Sequence, residues 1–69
     1  MGLEKYLNWG IIKVKGNDVQ LWYSQSSYDT INCQTPVTDA RWGGHVVVVT
    51  LINGKIRRYH SRTQYTSSL

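Results

Sequence analysis

The sequence predicts an all-β fold, either a small five-stranded barrel or a rolled antiparallel sheet, in one domain of 69 residues. Three observations support this prediction. His45–His60 holds two runs of strand-forming residues joined by Asn53-Gly54, a dipeptide typical of tight hairpins. Apolar and polar residues alternate with a period of two from Val19 to Ser24. Tight turns divide the chain into about five short strands, and no clear helical pattern is present.

The N-terminal third predicts a short docked segment and a first hairpin. Residues 1–8 place three apolar side chains at helical spacing: Leu3, Tyr6 and Leu7. Because the segment is too short to hold a helix without docking, an entering strand is the alternative. Residues 9–24 predict a hairpin that turns at Gly16-Asn17-Asp18.

The remaining strands follow from turn residues. Residues 24–36 are polar and predict a loop with a short strand at 28–33, and residues 37–42 predict a strand that ends at Gly43-Gly44. Two further strands are expected at 45–52 and 55–61. Residues 62–69 are expected to form a frayed tail unless Tyr65 or Leu69 docks. In size and strand number the domain resembles an SH3-like barrel, which carries no functional implication.

A two-residue loop at Asn53-Gly54 would fix the register of the last hairpin. It pairs Ile52 with Lys55 and Val48 with Tyr59, and directly opposed residues share a face. The face assigned to the core then holds Val47, Val49, Leu51, Ile56, Arg58 and His60. The outward face holds Val46, Val48, Thr50, Ile52, Lys55, Arg57 and Tyr59.

The positive charge is concentrated in the C-terminal part of the chain. The formal net charge is +4, but residues 1–40 carry a net −1 and residues 41–69 carry five basic residues and no acid. Such an asymmetry favours an anionic partner, with nucleic acid before membrane. A solvated basic surface that keeps a small protein soluble explains the same asymmetry equally well. For the basic hairpin, an edge strand protected from aggregation by its charges is the alternative.

The residue inventory argues against an enzyme. Cys33 is the only cysteine, and the two histidines, His45 and His60, lack the further ligands that a metal site needs. The glycines form no phosphate-binding loop. We therefore expect no catalysis, no cofactor, no metal and no small-molecule substrate. The absence of a signal sequence and of a long apolar run predicts a cytoplasmic protein with no membrane partner.

The sequence supports two hypotheses for the function of the protein. The first is a non-catalytic protein–protein or homo-oligomeric assembly module, because a small domain gains stability by association and Trp is enriched at interfaces. Its candidate interface residues are Trp9, Trp22 and Trp42. The alternative is binding of single-stranded nucleic acid or RNA by the basic and aromatic C-terminal hairpin. Its candidate residues are Lys55, Arg57, Tyr59, Arg62 and Arg41.

Overall fold

A computed structural model describes residues 3–68 of the chain. They form one short helix and seven strands: α1 (Glu4–Leu7), β1 (Ile11–Lys15), β2 (Asp18–Trp22), β3 (Tyr28–Asn32), β4 (Val37–Gly43), β5 (Val46–Leu51), β6 (Ile56–Tyr59) and β7 (Tyr65–Ser68). The strands build two antiparallel sheets, β1-β2-β3 and β4-β5-β6-β7. The predicted all-β class is confirmed, with seven described strands where five were expected.

The first hairpin forms where the alternating pattern places it. β1 and β2 are joined by Gly16 and Asn17, so that Lys15 pairs with Asp18. Gly16 has a φ of +62°, which glycine adopts without steric cost at the first central position of a tight hairpin turn. Ile12 and Val19 point to the core side of this sheet, in alternation with outward residues.

The N-terminal segment is a helix held by docking. Four residues are far fewer than an isolated helix needs, so α1 depends on its contacts with the rest of the domain. Leu3 and Tyr6 are both buried in the core cluster. Of the two possibilities for this segment, the helix is therefore the one observed.

The core lies between the two sheets. The three-stranded sheet contributes Val19, Leu21 and Ile31, and the four-stranded sheet contributes Val47, Val49, Leu51 and Tyr59. Two backbone hydrogen bonds join the β1–β2 turn to the chain on either side of Pro36: Val37 N–H donates to the Gly16 carbonyl and Cys33 N–H to the Asn17 carbonyl. The turn therefore ties the sheets together.

The predicted register of the last hairpin is wrong by one residue. Val47 pairs with Tyr59 and Thr50 with Ile56, and Leu51 N–H donates to the Lys55 carbonyl. The loop thus contains three residues, 52–54, and ends at Gly54, whose φ is +86°. This is the three-residue hairpin with a final left-handed glycine, in which the Asn-Gly pair occupies the last two positions.

A slip of one residue turns every side chain of the second strand to the other face. The inward assignment of Val47, Val49 and Leu51 is confirmed, because all three are buried. On β6 the assignment is reversed: Tyr59, expected to face solvent, is 2% exposed. Arg57 also faces inward, because it is paired with Val49.

Part of the C-terminal tail is ordered by a fourth strand in the second sheet. β7 pairs with β6, with Tyr65 opposite Tyr59. The two rings lie 4.9 Å apart between centroids. The tail was expected to fray unless Tyr65 or Leu69 docked, and Tyr65 is docked against Tyr59. Leu69 lies outside the described residues.

Candidate functional site

The structure separates the basic residues of the predicted nucleic-acid site. Arg41 is on the outer face of the four-stranded sheet, where its guanidinium binds Asp39 Oδ2 at 2.9 Å. Lys55 follows the β5–β6 loop and is exposed. Arg57, Tyr59 and Arg62 instead line one pocket on another side of the molecule. Three of the five candidates are therefore brought together.

Arg57 is held in the pocket by three neutral groups. Its Nη1 donates to the Cys33 carbonyl at 2.9 Å and to the Tyr59 hydroxyl at 3.1 Å. Its guanidinium also lies 4.5 Å from the centroid of the Tyr65 ring, within range of a cation–π contact. The inward register of β6 creates this arrangement, because it brings Arg57 beside the two paired tyrosines.

Burial controls the titration of the groups around Arg57. Burial, reinforced by a hydrogen bond with Cys33, raises the pKa of Tyr59 to about 12. Burial likewise raises the pKa of the Cys33 thiol. A buried thiol of raised pKa is a poor nucleophile, so Cys33 has the character of a structural residue.

The pocket beside Arg57 has a volume of about 340 Å³. Its polar lining comes from β3 and the residues after it, from β6, from the β6–β7 turn and from the start of β7: Thr30, Asn32, Gln34, Arg57, Tyr59, Arg62, Thr63 and Tyr65. Within residues 3–68, no Asp or Glu is among the lining residues. The pocket is therefore cationic and rich in hydrogen-bond donors.

A second pocket, of about 550 Å³, lies against α1 and shares Arg62 and Thr63 with the first. Lys5 and Tyr6 lie on its α1 side, and Tyr6 Oη donates to Asp29 at 2.5 Å. This hydrogen bond, assisted by Arg62 and Lys5, lowers the pKa of Asp29. The two pockets form neighbouring depressions on either side of the turn at 61–64.

A different surface carries the exposed aromatic residues of the first sheet. Ile11, Trp22 and Tyr28 are opposed across β1, β2 and β3, so they form one row on the face turned away from the core. The Trp22 and Tyr28 rings are 4.7 Å apart. Lys13 Nζ lies 4.7 Å from the Trp22 ring centroid. We call Ile11, Trp22 and Tyr28 the aromatic row.

The three tryptophans predicted as interface anchors do not share a surface. Trp42 packs against the core cluster and is paired with Val47. Trp22 belongs to the aromatic row, and Trp9, which precedes β1, is 44% exposed. The Nε1 atoms of Trp22 and Trp42 are buried without a hydrogen-bond partner among the described residues.

Sequence reasoning missed two tyrosines that complete these surfaces. Tyr28 and Tyr65 are each 43% exposed, and each stacks against an aromatic residue of the neighbouring strand. Each also begins its strand, directly after a polar segment. The signal that could have identified both residues was a tyrosine placed between a polar stretch and a strand.

Within residues 3–68, no three His, Cys, Asp or Glu side chains are grouped so that they could hold a metal ion. In the same part of the chain, no helix has the length and apolar character needed to cross a membrane. No family model, no curated protein and no solved structure matches the chain.

Proposed function

We propose that this domain is a non-catalytic interaction module that associates with a second copy of itself through the outer face of the β1-β2-β3 sheet. The observation that carries the proposal is the aromatic row. Its exposed members, Ile11 and Tyr28, are 42% and 43% accessible on one face. Apolar groups side by side on a sheet face contribute free energy when a partner covers them.

The same face has charges that can meet their own copy. Lys15 and Asp18 are opposed across β1 and β2, two rows along the sheet from Ile11 and Trp22. A two-fold interface brings the same patch of both subunits together, so the Lys15 of one copy can pair with the Asp18 of the other. Both signs of charge on one patch therefore favour self-association over a strongly acidic partner.

Two broader expectations belong to this proposal. The first is a cytoplasmic location, with which the free thiol of Cys33 is compatible. The second is closure of the sheets into an SH3-like barrel, which the packing of β1 against β4 supports. A purely binding role agrees with the buried thiol of Cys33.

Sedimentation velocity over a range from about 5 to about 500 μM tests self-association, because the fraction of dimer must follow mass action. We expect the sedimentation coefficient to rise with concentration, and Tyr28→Ser to return the protein to a monomer. Tyr65→Ser is the matched control, since Tyr65 is equally exposed but belongs to the other sheet. A monomer at every concentration, or an equal effect of both substitutions, would refute the proposal.

A further inference from the structure

Among residues 3–68, no carboxylate forms an ion pair with the positive charge of Arg57. Arg57 is partly buried, and its partners are a carbonyl, a hydroxyl and an aromatic ring. Removing a charge from water is costly unless an opposite charge accompanies it. Because the neutral partners fix the orientation of the guanidinium without neutralising it, the pocket is prepared for an external anion.

Arg62 adds a second charge to the same pocket. It is exposed, lies in the turn between β6 and β7, and lines both depressions. Its charge acts on Asp29, whose carboxylate is already engaged by Tyr6 and by Lys5 at 3.6 Å. Two guanidinium groups around one depression are suited to phosphate, which accepts hydrogen bonds from several N–H donors at once.

The rim of the pocket supplies a flat aromatic surface beside the charges. Tyr65 is 43% exposed although its ring contacts both Tyr59 and Arg57. An exposed ring next to phosphate-binding groups is the arrangement by which proteins hold a base and its phosphate together. The volume of about 340 Å³ lies at the small end of the usual range for ligand pockets.

We propose that this pocket binds the phosphate of a nucleotide unit in a single nucleic-acid strand, with Arg57 and Arg62 on the phosphate and Tyr65 against a base. The neighbouring depression favours a strand over a free nucleotide. It shares Arg62 with the pocket and is lined by one further cation, Lys5, and one acid, Glu4. A second phosphate of the same strand can therefore lie beside Lys5. None of the three residues of the aromatic row lines this pocket, so substitutions in the pocket test it apart from self-association.

Fluorescence anisotropy with a labelled single-stranded RNA of about twenty nucleotides tests the proposal through its salt dependence. In a plot of the logarithm of affinity against the logarithm of salt concentration, each phosphate contact to a single strand contributes about −0.7 to the slope. Three contacts therefore predict a loss on the order of 20-fold between about 50 and about 200 mM salt. No binding at the lower salt concentration would overturn the proposal.

Matched variants separate the pocket from general basic charge. Arg62→Gln removes a cation that makes no hydrogen bond with the described residues, so the fold is retained, and we expect the salt slope to fall by about 0.7. Arg41→Gln removes the same charge from the outer face of the same four-stranded sheet, away from the pocket, and we expect the slope to be unchanged. Equal effects of the two substitutions would overturn the proposal.

Two competitor ligands test whether a base contributes to binding and whether a strand is preferred to a single nucleotide. Polyphosphate, which has charge but no bases, is expected to compete more weakly than the RNA at equal phosphate concentration, and Tyr65→Ser is expected to abolish that difference. A nucleoside monophosphate is expected to bind more weakly than the RNA, since it reaches one depression only. If the monophosphate bound as tightly as the RNA, the proposal that the ligand is a nucleic-acid strand would be refuted, and the pocket would be assigned to a free nucleotide.

Discussion

The contact between Arg57 and Tyr59 should be measurable as a coupling free energy. Arg57→Met removes the guanidinium and keeps an unbranched apolar stem, while Tyr59→Phe removes only the hydroxyl that accepts the 3.1 Å hydrogen bond. The two single variants and the double variant form a thermodynamic cycle. Its coupling term isolates this one interaction from the effects that each substitution has elsewhere.

The structure sets the size of the expected coupling. A hydrogen bond that involves a charged group contributes about 1.5–3 kcal/mol, and partial exposure of Arg57 puts this one at about 1–2 kcal/mol. Arg57→Met also deprives the Cys33 carbonyl of a donor, so we expect a total loss of about 2 kcal/mol. For a domain of this size, such a loss lowers the melting temperature by roughly 8–16 °C.

Urea unfolding of the four proteins, followed by Trp fluorescence, measures the cycle. The control cycle pairs Arg57→Met with Tyr28→Phe, because Tyr28 belongs to the other sheet and contacts Trp22. Distant pairs add within about 0.5 kcal/mol, so the control should show no coupling beyond that. A coupling below about 0.5 kcal/mol between Arg57 and Tyr59 would refute the inward register of Arg57.

Deletion of Ile52 should be tolerated, because it leaves Asn53-Gly54 as a two-residue loop between the same paired residues. We expect the free energy of unfolding to fall by about 1 kcal/mol, because the backbone hydrogen bond from Ile52 N–H to the Pro36 carbonyl is lost. A deletion variant that no longer folds would contradict this expectation. Alkaline pH should destabilise the domain, since burial raises the pKa of Tyr6 and of Tyr59 from 10.0 to about 12. Folding favours the neutral phenols, so their contribution is complete below pH 10 and is lost as the pH rises towards 12; a urea midpoint that is the same at about pH 9 and about pH 12 would argue against it. Burial raises the pKa of the Cys33 thiol, so we expect an aromatic disulfide reagent to modify it only in denaturant, and rapid modification of the native protein would exclude the buried position.

The fold class was predictable because its signals are local. Alternation from Val19 onwards and turn residues at Gly16-Asn17 decide the structure within a few positions, and the observed hairpin follows them. The last hairpin depends instead on loop length. Asn53-Gly54 is compatible with loops of two or three residues, and the choice depends on which residues of β6 fit the core.

The site could be predicted only in part for the same reason. Arg57 and Arg62 were identified from charge, but the pocket exists because Tyr59 is buried and Tyr65 is paired beside it. The ordering of Tyr65 depends on a strand pairing within a polar segment, which carries no apolar alternation of its own. Long-range pairing of this kind is decided by tertiary contacts rather than by local preference.

The order of strands in the two sheets has a consequence for how fast the chain folds. Every hydrogen-bonded pair of strands consists of neighbours in sequence, from β1 with β2 to β6 with β7. Because each hairpin closes only a short loop, little chain entropy is lost before the contacts within each sheet form. Each sheet can form from its own segment, and joining the sheets through Gly16 and Val37 is the step that brings distant parts of the chain together. We therefore expect folding in milliseconds or less, faster than is usual for sandwiches whose strands pair across the whole sequence.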